Sequence, residues 1–146
     1  MAANITAAAT STSSLILQVE TGSSDGIKIS RFAVNAVLTS ASVSRPSLFR
    51  ATTKGTGISD IATSLVGKSS VNSKAYATFS VNPSLPSLQL ISRDEMSMEW
   101  LAAPGQEVIT LETGGSTGSA IVLYQSVNTG GGGSASVSGQ VFWEEL

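Results

Sequence analysis

Histidine and cysteine are both absent from this 146-residue chain, and charge is scarce: eight Lys and Arg stand against ten Asp and Glu. Without histidine no side chain titrates near neutrality at its ordinary value. Without either residue the usual structural zinc ligand sets cannot be built. Without cysteine there is no disulfide, so the redox compartment cannot be read. Aromatic residues make up only 5% of the chain, too few for the stacked platforms on which sugar-binding modules rely. No run approaches the roughly 18 apolar residues of a membrane-spanning helix. These absences point away from catalysis, cofactors and metals.

What is present suits a folded, weakly charged β protein. The length is that of one domain, enough to bury roughly 68–70% of the extended-chain surface. A composition 41% hydrophobic and 12% charged is too apolar for a disordered chain. A net charge of −2 gives no broad basic surface for nucleic acid. The opening Met1-Ala2-Ala3-Asn4-Ile5-Thr6 lacks the basic and apolar regions of a secretion signal. The expectation is therefore synthesis in a cytoplasm, with no membrane association.

Residues 1–14 are small and polar without periodicity and read as a flexible N-terminal arm. Beyond them, residues 15–146 read as a single β-sandwich domain of short strands separated by Gly, Pro, Asn and Ser clusters. Leu15, Leu17 and Val19 alternate with polar neighbours, and Phe32, Val34, Ala36 and Leu38 line one side of a second strand. Further strands are expected at Leu48–Thr53, Tyr76–Val81, Leu88–Ile91, Met96–Leu101, Glu107–Glu112, Ala120–Val127 and Gly139–Glu144. Gly130–Gly133 reads as a hairpin tip, and Ser59–Gly67 as at most one short helix. Eight or nine strands at this spacing predict an all-β, two-sheet antiparallel sandwich, with the jelly roll the favoured form.

Motifs that would carry chemistry fail on inspection. Gly67-Lys68-Ser69 lacks the glycine that a phosphate-binding loop needs five residues before Gly67, since position 62 is alanine. Gly114-Gly115 with Gly118 leads into a strand rather than a helix N-terminus. The adjacent acids Asp94-Glu95 and Glu144-Glu145 point to opposite faces of any strand. Glu99 and Glu107 could approach across a turn at Pro104-Gly105, where a solvated outer face is the plainer reading. Trp100 lies in phase with Met96 and Met98, which makes it core rather than a sugar platform.

The charges are also unevenly placed. All eight bases (Lys28, Arg31, Arg45, Arg50, Lys54, Lys68, Lys74 and Arg93) precede seven acids, Asp94, Glu95, Glu99, Glu107, Glu112, Glu144 and Glu145. Interleaved strands would mix the two sets in space. If folding keeps them apart, they offer electrostatic complementarity to a neighbouring copy or a larger partner. On that second reading Arg45, Arg50, Lys54, Lys68, Lys74, Glu99, Glu107 and Glu112 are the assembly-interface candidates.

Three segments carry a resemblance. A strand ends in Arg50-x-Thr52-x-x-Gly55-Thr56-Gly57. Another runs Trp100-Leu101-Ala102-Ala103-Pro104-Gly105-Gln106-Glu107, and the chain closes on Trp143-Glu144-Glu145. In this order they resemble small structural proteins encoded beside capsid genes in tailed bacteriophages, including jelly-roll capsid decoration (cement) proteins. The likeness spans roughly residues 27–146; the arm before it and the loop 58–75 have no counterpart. It implies a non-enzymatic virion protein on the capsid exterior, trimeric about a local three-fold position, with the major capsid protein as partner. Gly55 and Gly57 are expected to supply positive φ after a strand, Pro104-Gly105 a tight reversal, and Trp100 and Trp143 anchors for the two sheets. Two alternatives stand beside it: another phage particle component, such as a head-fibre base or tail-associated sandwich, and a carbohydrate-binding module or adhesin.

Overall fold

A computed structural model describes residues 2–10, 14–22, 26–39, 42–65, 72–86, 90–92, 97–102, 109–111, 120–129 and 134–146. Among them there is no helix. Twelve strands follow in chain order: β1 (Ala2–Thr10), β2 (Ser14–Glu20), β3 (Ile27–Thr39), β4 (Ser42–Arg50), β5 (Thr56–Gly57), β6 (Lys74–Tyr76), β7 (Phe79–Val81), β8 (Ile91–Ser92), β9 (Ser97–Leu101), β10 (Thr110–Leu111), β11 (Ala120–Thr129) and β12 (Ser134–Glu145). Every described pairing is antiparallel. The all-β sandwich expected from the sequence is what forms. The strand count exceeds eight or nine because β5, β6, β7, β8 and β10 are two or three residues long, too short to show a period.

Sheet A runs β1-β12-β3, with β9 and β10 both on the far side of β3; sheet B runs β6-β2-β11-β4-β8. The order nests the chain: β1 pairs with β12 and β2 with β11. Inward residues of both sheets share one core. Sheet A supplies Ile27, Ile29, Phe32, Val34, Leu111, Val141 and Trp143; sheet B supplies Leu17, Val19, Leu48, Ala75, Ile121 and Leu123. Burying a side chain such as Phe32 or Leu123 contributes about 1.5–3 kcal/mol.

The spacing of the core residues in β3 shifts in the middle of the strand. Ile27 and Ile29 face inward, and so do Phe32 and Val34. The odd step between 29 and 32 is a bulge: Trp143 stands opposite Ile29 and Phe142 opposite Arg31, leaving Ser30 extra. The Ser30 hydroxyl donates to the Phe142 carbonyl (3.1 Å), and its carbonyl accepts from the Ala102 N–H (2.9 Å). A second bulge leaves Ile16 unopposed between Leu15 and Leu17 in the pairing with β11.

Several local expectations are corrected. The segment expected as an arm contains β1, paired with β12 from Ala2 opposite Phe142 to Thr10 opposite Ala135. Its Ala- and Thr-rich sequence carries no apolar alternation, so the neighbouring strand's main chain dictates the pairing. The strand expected at Tyr76–Val81 is split, because β6 joins sheet B while β7 pairs with β5 in a separate ribbon. The strand expected at Leu48–Thr53 ends at Arg50 and begins earlier, at Ser42, running through Pro46. Among the described residues β8 pairs only with Ser47 and Leu48, and β11 is the described partner of β4 at Pro46, where a missing N–H is tolerated at an edge.

No helix forms over 59–65: the Ile61 N–H is taken by the Ala75 carbonyl (2.8 Å), and the Asp60 carboxylate accepts from the Ala62 and Ala75 N–H groups. β11 and β12 lie in different sheets, so the glycine run between them, itself outside the described residues, links sheets and does not cap a hairpin. Met96 likewise lies outside the described residues.

Phe32 is fully buried and Leu101 is 57% exposed. Phe32→Ala is therefore expected to lower unfolding free energy by about 3–5 kcal/mol. Leu101→Ala should change it by no more than about 0.5 kcal/mol. Denaturant titration of the two variants checks both.

Candidate functional site

The two sheets expose their outer faces very differently. The outer face of sheet B is covered. Gln18 and Glu20 of β2, Ala120 and Val122 of β11, and Phe49 of β4 are all buried there. The cover is the excursion between β4 and β8, where Ala51 and Leu85 pack on Ala120 and Val122. The outer face of sheet A carries Lys28, Arg31, Ala33 and Asn35 of β3, with Gln140, Phe142 and Glu144 of β12 and Glu99 and Leu101 of β9 opposite them. No described element covers that face.

The Arg50-x-Thr52-x-x-Gly55-Thr56-Gly57 segment is where the chain leaves sheet B and doubles over it. Arg50 donates across the end of the sandwich to the Thr110 carbonyl (2.9 Å), tying β4 to β10. The Thr52 hydroxyl and N–H both donate to the Ser84 carbonyl. The buried Gln18 amide then grips Gly55 as a strand would: its Oε1 accepts from the Gly55 N–H (2.9 Å), and its Nε2 donates to the Gly55 carbonyl (3.2 Å). Nε2 also donates to Glu20 (3.2 Å), whose carboxylate pairs with Lys54 at 3.6 Å.

The two glycines are required for a reason other than the expected one. Neither has φ in the left-handed region, so close approach is what excludes a side chain. A Cβ on Gly57 would run into the Tyr76 ring, and one on Gly55 would lie 2.7 Å from the Val81 carbonyl oxygen.

Trp143 and Glu145 form a second lock. The Trp143 indole, only 2% exposed, donates to the Ser73 hydroxyl (2.7 Å). That hydroxyl and the N–H groups of Asn72 and Ser73 donate to one oxygen of Glu145. Trp100 is half-buried and stacks on Phe32, with centroids 5.6 Å apart. Both tryptophans thus serve the core as expected, and both belong to sheet A. Tyr124 meets Phe49 edge-on at 5.9 Å on the covered side of sheet B. An aromatic sugar platform built from these three is not what the fold presents.

Among the described residues the two sets of charges meet on the outer face of sheet A. Arg31, from the basic part, pairs with Glu99, from the acidic part, at 2.7 Å, and Lys28 stands opposite Glu144. The Arg31 guanidinium also lies 5.2 Å above the Phe142 ring. Lys74 pairs with Asp60 at 3.3 Å. Of the interface candidates, Arg50, Lys54, Lys74 and Glu99 therefore have partners within the chain. Arg45 is exposed on β4. Lys68, Glu107 and Glu112 lie outside the described residues, as do the turn residues Pro104 and Gly105. Sequence reasoning missed Gln18 and Ser73, and the bonding role of Glu145, because an isolated polar residue carries no signal until its partner's place is known. The alternation Leu17-Gln18-Val19 does mark Gln18 as facing away from the core.

No family model matches the chain, and no curated protein matches it.

Gly57→Ala is expected to cost about 1–3 kcal/mol through overpacking against Tyr76. Tyr76→Ala in the same chain should recover part of that loss in a double-mutant cycle of denaturant midpoints. Burial, with the Glu20 carboxylate as the next cause, raises the Tyr76 phenol above its ordinary value of 10.0. The folded state thus holds this proton to higher pH than the unfolded chain. Its contribution to stability is intact below about pH 10 and is lost as pH rises through the folded value. Unfolding titrations from pH 9 to 12 should show that alkaline loss reduced in Tyr76→Phe.

Proposed function

We propose that this protein is a non-enzymatic structural component of a bacteriophage particle: a jelly-roll decoration protein that binds the outer surface of the capsid and stabilises the shell. The observation that carries the reading is the nested strand order. Wrapping a long hairpin around itself places first strand beside last and second beside second-last, as in β1-β12-β3-β9 and β2-β11-β4-β8. Double Greek-key sandwiches of this kind recur in viral particles. The asymmetry of the faces supports binding by surface rather than by cleft, because no described element covers the outer face of sheet A while that of sheet B is covered.

Binding to the assembled shell and not to free subunits shifts the equilibrium toward assembly by mass action. The partners are the major capsid protein and further copies of this chain, as a homotrimer on the capsid exterior, after synthesis in the host cytoplasm. The ion pairs at hand leave few free charges among the described residues, which suits an extensive, weakly charged contact.

The purified protein should co-sediment with empty shells of the phage that encodes it. Its light-scattering mass should be near three times the 14.9 kDa protomer. A monomer left in the supernatant would overturn the reading.

A further inference from the structure

The cover over sheet B is made of two chain segments, 52–58 and 78–84, that pair with each other. The Thr52 N–H donates to the Ser84 carbonyl (2.9 Å), the Ser84 N–H to the Thr53 carbonyl (2.9 Å) and the Ile58 N–H to the Thr78 carbonyl (3.0 Å). Between these bonds β5 pairs with β7, and the Ser80 hydroxyl donates to the Thr56 carbonyl (3.3 Å). The two segments therefore form one ribbon. It runs from the β4 side of the sheet, where Ala51 donates to the Ala120 carbonyl, to the β6 side, where Asp60 bridges to Tyr76. Fastened at both ends, the ribbon is a strap.

Little apolar surface holds the middle of this strap down. Of its residues only Gly55 and Pro83 are buried, and Phe79 is half-buried. Ile58 and Val81 turn outward, 67% and 60% exposed. The apolar cluster beneath is Ala51, Ala120 and Val122 with Leu85 against them, and Ala51 and Leu85 flank the strap at its β4 end. The core between the sheets, by contrast, buries Phe32, Trp143, Leu48, Leu111 and Leu123.

What the strap covers at mid-span is polar. Gln18 is fully buried there, and Glu20 is nearly so. The Gln18 amide makes both of its bonds to Gly55, and the Lys54–Glu20 pair backs them. Phe49 rests edge-on against Tyr124 of the sheet itself, a contact that does not need the strap. Lifting the strap would return an amide and a carboxylate to water, which solvates both well. Regions with few buried apolar contacts open at a lower free energy than the whole molecule. A two-stranded ribbon away from its sheet is marginally stable at best, so its internal bonds would open with it.

We infer that the strap detaches from sheet B as one cooperative unit while the two-sheet core stays folded, with the Gln18 amide as its latch. Detachment bares Gln18, Glu20 and Val122, so the covered face of sheet B has a second, open state. The inference depends neither on capsid binding nor on self-association.

Amide hydrogen exchange, resolved residue by residue by nuclear magnetic resonance, tests it. Thr52, Ile58 and Ser84 report on the strap, because their N–H groups are bonded within it and not to Gln18. The Ile29 N–H, held by the Ile109 carbonyl (2.9 Å), reports on the core. In the parent the three strap amides should be at least about a hundredfold less protected than Ile29. Gln18→Leu keeps the bulk and removes both bonds to Gly55. It should speed exchange of the three by about tenfold or more and leave Ile29 unchanged. Phe32→Ala should do the reverse and speed Ile29 alone.

Equal protection of strap and core in the parent overturns the inference. So do strap amides that keep the parent rate in Gln18→Leu or quicken only in step with Ile29, and so does Phe32→Ala speeding all four alike. If Gln18→Leu fails to fold, the parent in low urea decides. Exchange of the strap amides should barely respond to urea, since their opening exposes little surface, while that of Ile29 rises steeply. Matching urea slopes overturn the inference.

Discussion

The pairing of β12 with β3 is the contact on which the rest of the molecule depends. It runs from Ser134 opposite Thr39 to Glu145 opposite Ile27 and sets the register of sheet A. Every other strand of that sheet is held through one of these two. The Ser30 bulge inside the pairing rotates β3 so that Ile27 and Ile29 face the same core as Phe32 and Val34. Lose that extra residue and one half of the strand would present its isoleucines to solvent.

From this axis the polar chemistry of the fold becomes intelligible as fastening. Each fastener joins segments that are far apart in sequence and have no strand pairing to hold them: Gln18 to Gly55, Arg50 to Thr110, Ser73 to Glu145. Buried amides and carboxylates are costly to leave unsatisfied, so each fixes one geometry as well as adding stability. This is why the scarce charges make so little free surface. The Arg31–Glu99 and Lys74–Asp60 pairs, both open to solvent, contribute little energy.

How much of this was legible in the sequence depended on local signal. Leu17 and Val19, and Phe32 and Val34, announced inward faces because period-two alternation survives within each run. Ile27 and Ile29 did not join that pattern, since a bulge shifts the phase and leaves no mark in composition. β1 was missed because alanine and threonine give no contrast between faces. The glycines at 55 and 57 were rightly singled out, but the reason is Tyr76 and Val81 pressing on them, which only the fold reveals. The charge split misled for a related reason: sequence halves are not spatial halves when first and last strands are neighbours.

That nesting has a consequence for how the molecule comes into being. β1 emerges first during synthesis, yet its described partner is the last strand of the chain. β2 waits similarly for β11. Contacts of such large sequence separation slow the search for the native state. Until β12 is made, β1 and the open side of β3 are unpaired edges, free to meet those of another nascent chain. The interval before β12 is made, more than the folded surface, is when this sequence is most exposed to aggregation.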